Sequence, residues 1–222
     1  MGIATELARI KTAKSNLKTA INAKGGGLVV ETLDYYAEAV NALPSGGIAA
    51  GVSYDTIDAS NNVTTATVYG TFVLLHAFYN NAYLTSVDMP SGITSIGSYG
   101  FQGCINLALT SLPSGLISIG SYGFQGCINL VLTSLPSGLI SIDDGAFYGC
   151  TGLTKVWIPS ACASIIADTY LQAPFRNCSS NLKIYCEAAS KPAGWGDYWN
   201  YYASSVQLTV TWNITLEQFN AL

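Results

Sequence analysis

Three kinds of side chain in this sequence have the chemistry to react or to ligate: six cysteines, a single histidine and one pair of adjacent carboxylates. Cys104, Cys127 and Cys150 recur at a constant step of 23 residues. If each step is one rung of a stacked structure, rungs lie about 4.8 Å apart, which sets Cys104 and Cys150 roughly 10 Å from each other. Zinc requires every sulfur within about 2.3 Å of one ion, so the ladder is not one metal site. Buried, inert thiols are expected, because free cysteine packs as a small hydrophobe; a disulfide between neighbouring rungs requires favourable Cβ directions. His76 would have to serve any Ser-His-Asp or Cys-His pair, yet no partner flanks it in sequence. Asp143 and Asp144 have the residue type of an acid/base pair, but they fall where other units carry Gly97-Ser98 and Gly120-Ser121, so a solvated turn is expected. No phosphate-cradling glycine loop and no metal-ligand spacing occurs. The expectation is therefore no catalytic residue, no cofactor and no metal.

What positions these residues is a repeat. SIGSYGFQGCINL at 95–107 recurs letter for letter at 118–130, as a duplication would leave it. The same step carries Pro90 to Pro113, Pro136 and Pro159, and Phe101 to Phe124 and Phe147. Upstream, Phe78 and Leu84 keep the phase with Asn81 in place of the cysteine; downstream, Phe175, Cys178 and Leu182 resume it after an insertion at about 166–174. Cys162 falls in the column of Ile93, Leu116 and Leu139, which supports the buried reading of the thiols. Each unit begins L-x-x-(V/T)-x-(M/L/I) and then meets proline, the pattern of a short strand with one buried face. The second half, with Ile96, Phe101, Cys104 and Leu107 inward, reads as an irregular or short helical return. One unit cannot bury its apolar face alone, so neighbours stack into a solenoid with a parallel sheet along one side.

The pattern L-t-s-V-x-M-P-s-g-I-t-s-I-g-s-y-G-F-q-G-C-i-n-L resembles the BspA-like class of bacterial leucine-rich repeats over roughly residues 61–186. That resemblance implies an α/β repeat solenoid whose end coils are capped. SYDTIDASNNVTTATVYG at 53–70 resembles the β-rich N-terminal cap, and IYCEAASKPAGWGDYWNYY at 184–202 the usual C-terminal exit. The expected organisation is a helical segment at 1–47, a β-rich cap with a degenerate first repeat at 48–83, repeats at 84–186 and a C-terminal cap at 187–222.

The first 47 residues differ in kind. Arg9, Lys11, Lys14, Lys18 and Lys24 are five of the nine basic residues in the chain. Ile3, Leu7, Ile10, Leu17 and Ile21 follow a heptad phase interrupted at Lys14 and Lys24, which predicts an amphipathic helix. After Gly25-Gly26-Gly27, Thr32 caps a second helix with Leu33, Tyr36, Val40 and Leu43 on one face. ELARIKTAKSNLKTAINAKG followed by TLDYYAEAVNAL resembles a segment at the start of phage and prophage tail-associated proteins. The resemblance implies attachment to a larger assembly or self-association.

Charge narrows the partners. A net charge of −4 and a pI near 4.7 offer no surface for a phosphate backbone, so nucleic acid is not an expected partner. No stretch reaches the roughly 18 apolar residues of a membrane span, and the start lacks a basic region followed by an apolar run, so no export signal is expected. From Met89 to Ile142 there is no Lys, Arg, Asp or Glu, which suits close packing on protein or carbohydrate. Strand alternation places Ser86, Leu109, Leu132 and Lys155 in one outward column, and Asp88, Ser111, Ser134 and Trp157 in the next. Together with His76, Tyr99 and Tyr122 on a turn, these form the candidate binding surface. The alternative is that Leu109, Leu132 and Trp157 pack on the N-terminal helices or a sister chain. The resulting expectation is a non-catalytic binding module on a phage or prophage virion, presenting the repeat to a host-surface protein or glycan. A bacterial cell-surface adhesin and a structural spacer are the rival readings.

Overall fold

The computed structural model describes residues 51–222 except positions 59 and 61. The helices expected within 1–47 lie outside those residues. A repeat of constant length lets like side chains superpose, and the described chain coils so that they do. The outer strands of one face are β1 (Gly51–Ile57), β2 (Val63–Tyr69) and β4 (Ser86–Asp88), with β1 antiparallel and β4 parallel to β2. A second sheet joins β3 (Phe72–Val73), β5 (Ser95–Ile96), β6 (Ser118–Ile119), β7 (Ser141–Ile142) and β9 (Ser164–Ile165), all parallel and in register. A third sheet continues the first face with β8 (Lys155–Ile158), β10 (Lys183–Cys186) and β13 (Thr209–Trp212), again parallel. β11 (Tyr201–Ala203) and β12 (Val206–Gln207) form a hairpin, and α1 (Leu216–Asn220) is the one α-helix among the described residues.

The unbroken ladder is therefore in the second half of each unit, where an irregular or helical return was expected. Glycine explains part of this. A Cβ at Gly120 would stand 2.8 Å from the Ser98 backbone nitrogen, so only a bare backbone lets successive coils close to pairing distance there. The strand expected in the first half forms at β4 and β8 but lapses in the coils of 107–112 and 130–135, where one bridge, Ser134 to Trp157, remains.

Inside, Phe78, Phe101, Phe124, Phe147 and Phe175 stack in series, with centroids 5.0 to 5.6 Å apart and planes within 8° of parallel. All are buried, and each such ring contributes about 1.5–3 kcal/mol by leaving water. The β1–β2 hairpin closes one end with Ala66 and Val68. Trp195, Trp199 and Trp212 close the other as a cluster, with the Trp195 indole N–H donating to the Cys162 carbonyl at 2.8 Å.

Candidate recognition face

The thiols go inward. Cys104, Cys127, Cys150 and Cys178 each donate through Sγ to a phenylalanine carbonyl of the preceding coil (Phe78, Phe101, Phe124 and Phe147) at 3.0 to 3.1 Å. All six cysteines are unbridged and buried, and burial pushes Cys104, Cys162, Cys178 and Cys186 up to about 12. A thiol so protonated is neither nucleophile nor ligand at neutral pH. Among the described residues, no group of three or more His, Cys, Asp or Glu side chains is placed to hold a metal.

His76, Tyr99 and Tyr122 lie half-buried in one column with positive φ of 56°, 57° and 55°. Their rings stack at 5.0 and 5.4 Å, and Tyr79 meets His76 edge-on. The series ends at Gly145, where any Cβ would collide with the Tyr122 ring. Both faces of Tyr99 are thus occupied, and the column offers edges and polar tips rather than open stacking platforms. Asp143 and Asp144, expected on a solvated turn, are half-buried, and burial raises both carboxyls. Asp144 stands beside the Tyr122 hydroxyl, which burial and that carboxylate together push up. Its Oδ1 is buried without a hydrogen-bond partner.

The outward columns require correction. Ser86, Asp88 and Ser111 are exposed as expected, whereas Leu109 is half-buried against the core and Leu132 is buried at 1% exposure. Thr110 and Thr133, assigned inward, are exposed instead. The cause is physical: in β4 and β8 the inward position holds Val87 and Val156, but threonine there would bury a hydroxyl. The adjacent leucine turns in instead, while Leu112 and Leu135 stay inward, and strand pairing in these two coils is reduced to the bridge at Ser134.

Trp157 is also buried, at 1%, with its indole N–H donating to the Ile214 carbonyl at 2.8 Å. Neither an N-terminal helix nor a sister chain is needed to cover it. The cover is the chain's own C-terminus: α1, capped reciprocally by Thr215 and Gln218, lays Phe219 against Tyr185 at 5.2 Å and under the Lys155 ammonium at 4.7 Å. Lys155 and Ser134 are half-buried beside it. What remains open lies nearer β4. There Val87, Asp88 and Met89 face Ala108 through Pro113 across a groove of about 270 Å³, which brings together Asp88, Leu109 and Ser111 but not Trp157 or the tyrosines. Val87, Met89, Thr110 and Leu112 were missed because their columns had been assigned to the interior.

The model of the BspA type leucine rich repeat region matches residues 73–189 in six copies, more than half of the chain. The chain belongs to the BspA-type leucine-rich repeat family. No curated protein matches this BspA-type chain. Among solved structures it is similar to a leucine-rich repeat protein of T. pallidum, at 23% identity and a TM-score of 0.46, covering 64% of this chain and 70% of that one. A leucine-rich cell surface protein from Faecalibacterium prausnitzii A2-165 matches at 20% identity and TM-score 0.44, with 77% of this chain but only 54% of that chain covered. One from Bacteroides ovatus has 17% identity, a TM-score of 0.28 and coverages of 72% and 66%. The family match lies wholly outside residues 1–47, and their resemblance to tail-associated proteins gains no support from it. Among the described residues no helix is long and apolar enough to cross a membrane.

Proposed function

We propose that this BspA-type chain is a non-catalytic recognition module that binds a protein or glycan on a cell surface through the outer face of its solenoid. One observation carries the reading: the nucleophile-type groups are spent inside the stack, while Ser86, Asp88, Thr110 and Ser111 stand out on one face. A stiff stack presenting a nearly charge-free surface suits specificity by shape and hydrogen bonding rather than by steering. The test is saturable binding of the fluorescently labelled full chain to intact bacterial and host cells, read by flow cytometry. Saturation that is lost on joint replacement of Ser86, Asp88 and Ser111 by alanine supports recognition. Unsaturable binding, identical in wild type and variant, leaves a structural spacer.

Where the module is carried is a second question. The resemblance of the first 47 residues favours a phage or prophage virion, with those residues as the attachment device; a bacterial cell-surface adhesin is the alternative. Mass-resolved size exclusion of the full chain and of a chain beginning at Gly47 separates them. A trimer or larger species that becomes monomeric on truncation supports attachment through the N-terminus, and two monomers favour the adhesin.

A further inference from the structure

The groove between β4 and the next coil opens where coil-to-coil pairing on this face breaks off, a lapse that runs through the coils of 107–112 and 130–135. The Ala108 amide still donates back to the Thr85 carbonyl at 3.0 Å. In parallel pairing the next donor on this side would be the Thr110 amide, opposite Val87, but the chain bends at Thr110. That amide has no protein partner among the described residues, and neither do the amides of Leu109, Ser111 and Leu112. Between this coil and that of 130–135, the Val131 amide donating to Leu109 at 3.1 Å is the one backbone bond among the described residues, and pairing resumes only one coil later, with the Trp157 amide donating to Thr133 at 2.9 Å and the Leu135 amide to Trp157 at 3.0 Å. Successive amides alternate sides, so the Thr110 amide, on the β4 side, is left for an occupant of the groove, whereas Leu109 faces the following coil, where its carbonyl accepts from Val131 at 3.1 Å.

The lining sets the rest of the chemistry. Asp88 is the only ionisable side chain in the groove, so an occupant must bring donors to a carboxylate and no negative charge of its own. Val87, Met89 and Leu109 give an apolar wall. The volume, about 270 Å³, falls just under the roughly 300–1,000 Å³ of typical small-ligand pockets, which leaves room for one ring rather than a helix. A hydroxyl both donates and accepts, and a pyranose places several of them around a compact frame with an apolar C–H face.

We propose that this groove is the subsite for one neutral hexopyranose residue, N-acetylated or not, of a surface glycan. The inference rests on the recognition-module reading and sharpens it. In the bound state Asp88 accepts from sugar hydroxyls, the Thr110 amide donates to a sugar oxygen, and Asp88 repels sialic and uronic acids.

The experiment is a titration of the full chain, followed by backbone amide NMR, with the methyl glycosides of glucose, galactose, mannose and N-acetylglucosamine, and with N-acetylneuraminic acid as anionic control. At least one neutral glycoside is expected to shift the amides of residues 109–112. Asp88→Asn is expected to weaken that binding roughly tenfold or more, the worth of one charge-assisted hydrogen bond, and Ser111→Ala by less. Asp197→Asn, an exposed change in the C-terminal region, should leave it unchanged and controls for general damage. The proposal is overturned if no neutral glycoside moves those amides, if the sialic acid binds as well as the best of them, or if Asp88→Asn binds like wild type. Labelled chain that saturates cells while no glycoside shifts these amides removes the subsite and keeps the module, with a protein partner then in its place. Asp88-dependent sugar binding without any cell binding keeps the subsite and removes the module.

Discussion

Across the central coils, the arc carrying Phe101, Phe124 and Phe147 repeats almost unchanged, while the arc carrying Leu109 and Leu132 departs from that of the coils on either side. In the first arc every inward position is apolar or glycine, so rings stack, thiols bond to carbonyls and a two-residue strand pairs in each coil. In the second, the inward column holds threonine, the threonine stands exposed, the neighbouring leucine turns toward the core, and a groove lies beside Leu109. A solenoid tolerates this because each coil contacts only its neighbours, so a local lapse need not propagate. The regular arc supplies rigidity; the irregular one supplies a place where backbone groups remain available.

If that division is right, the fold should fail first through the regular arc. The largest effect expected is alkaline. Burial raises the thiols of Cys104, Cys162, Cys178 and Cys186 from 9.0 to about 12, and those of Cys127 and Cys150 well above 9.0. Because the folded state holds its thiol protons longer than the unfolded one, this stability is complete below pH 9 and is lost as pH climbs from there toward about 12. Circular dichroism against pH should show cooperative unfolding within that window, and a thiol reagent should find no reactive cysteine in the native chain below it. Full native reactivity at neutral pH would remove the thiols from the core. Next in size is Phe124→Ala, which removes the ring stacked at 5.1 Å on Phe101 and at 5.6 Å on Phe147. A loss of about 3–5 kcal/mol in urea unfolding is expected. Gly120→Ala, which drives a Cβ against the Ser98 backbone, should cost about 1–3 kcal/mol through overpacking.

The same division explains what could be read from the letters. Phe101, Cys104 and their successors were legible because a constant step and a uniform apolar character leave one way to stack them. The paired Ser-Ile strands were not, since two residues are too short to show an alternation. Leu109 and Leu132 were placed outward by carrying a period of two through Thr110 and Thr133; the preference of the core for leucine over a hydroxyl prevailed over the period. Trp157 was misplaced for another reason. Its cover, Ile214 and Phe219, lies more than fifty residues further along, and no local pattern marks a five-residue helix as the lid of a distant strand.

The sharpest way to challenge the comparison is to abolish the difference between the arcs, and its energetic effect is the smallest. Thr110→Val gives the second arc the apolar inward residue that β4 and β8 already have in Val87 and Val156. If threonine is what turned the backbone, valine should rotate inward, send Leu109 out and let the 110 amide pair with Val87. The stability change is expected to stay within about 1 kcal/mol, because one buried aliphatic group replaces another. The readout is therefore hydrogen exchange: the 110 amide should become protected to the level of the amides in β6, and the groove beside Asp88 should close. Unchanged exchange would show that the coil geometry is imposed by the neighbouring turns rather than by residue 110. In that case the opening at Asp88 is a property of the repeat frame, and Leu109 is buried as a consequence of it rather than as its cause.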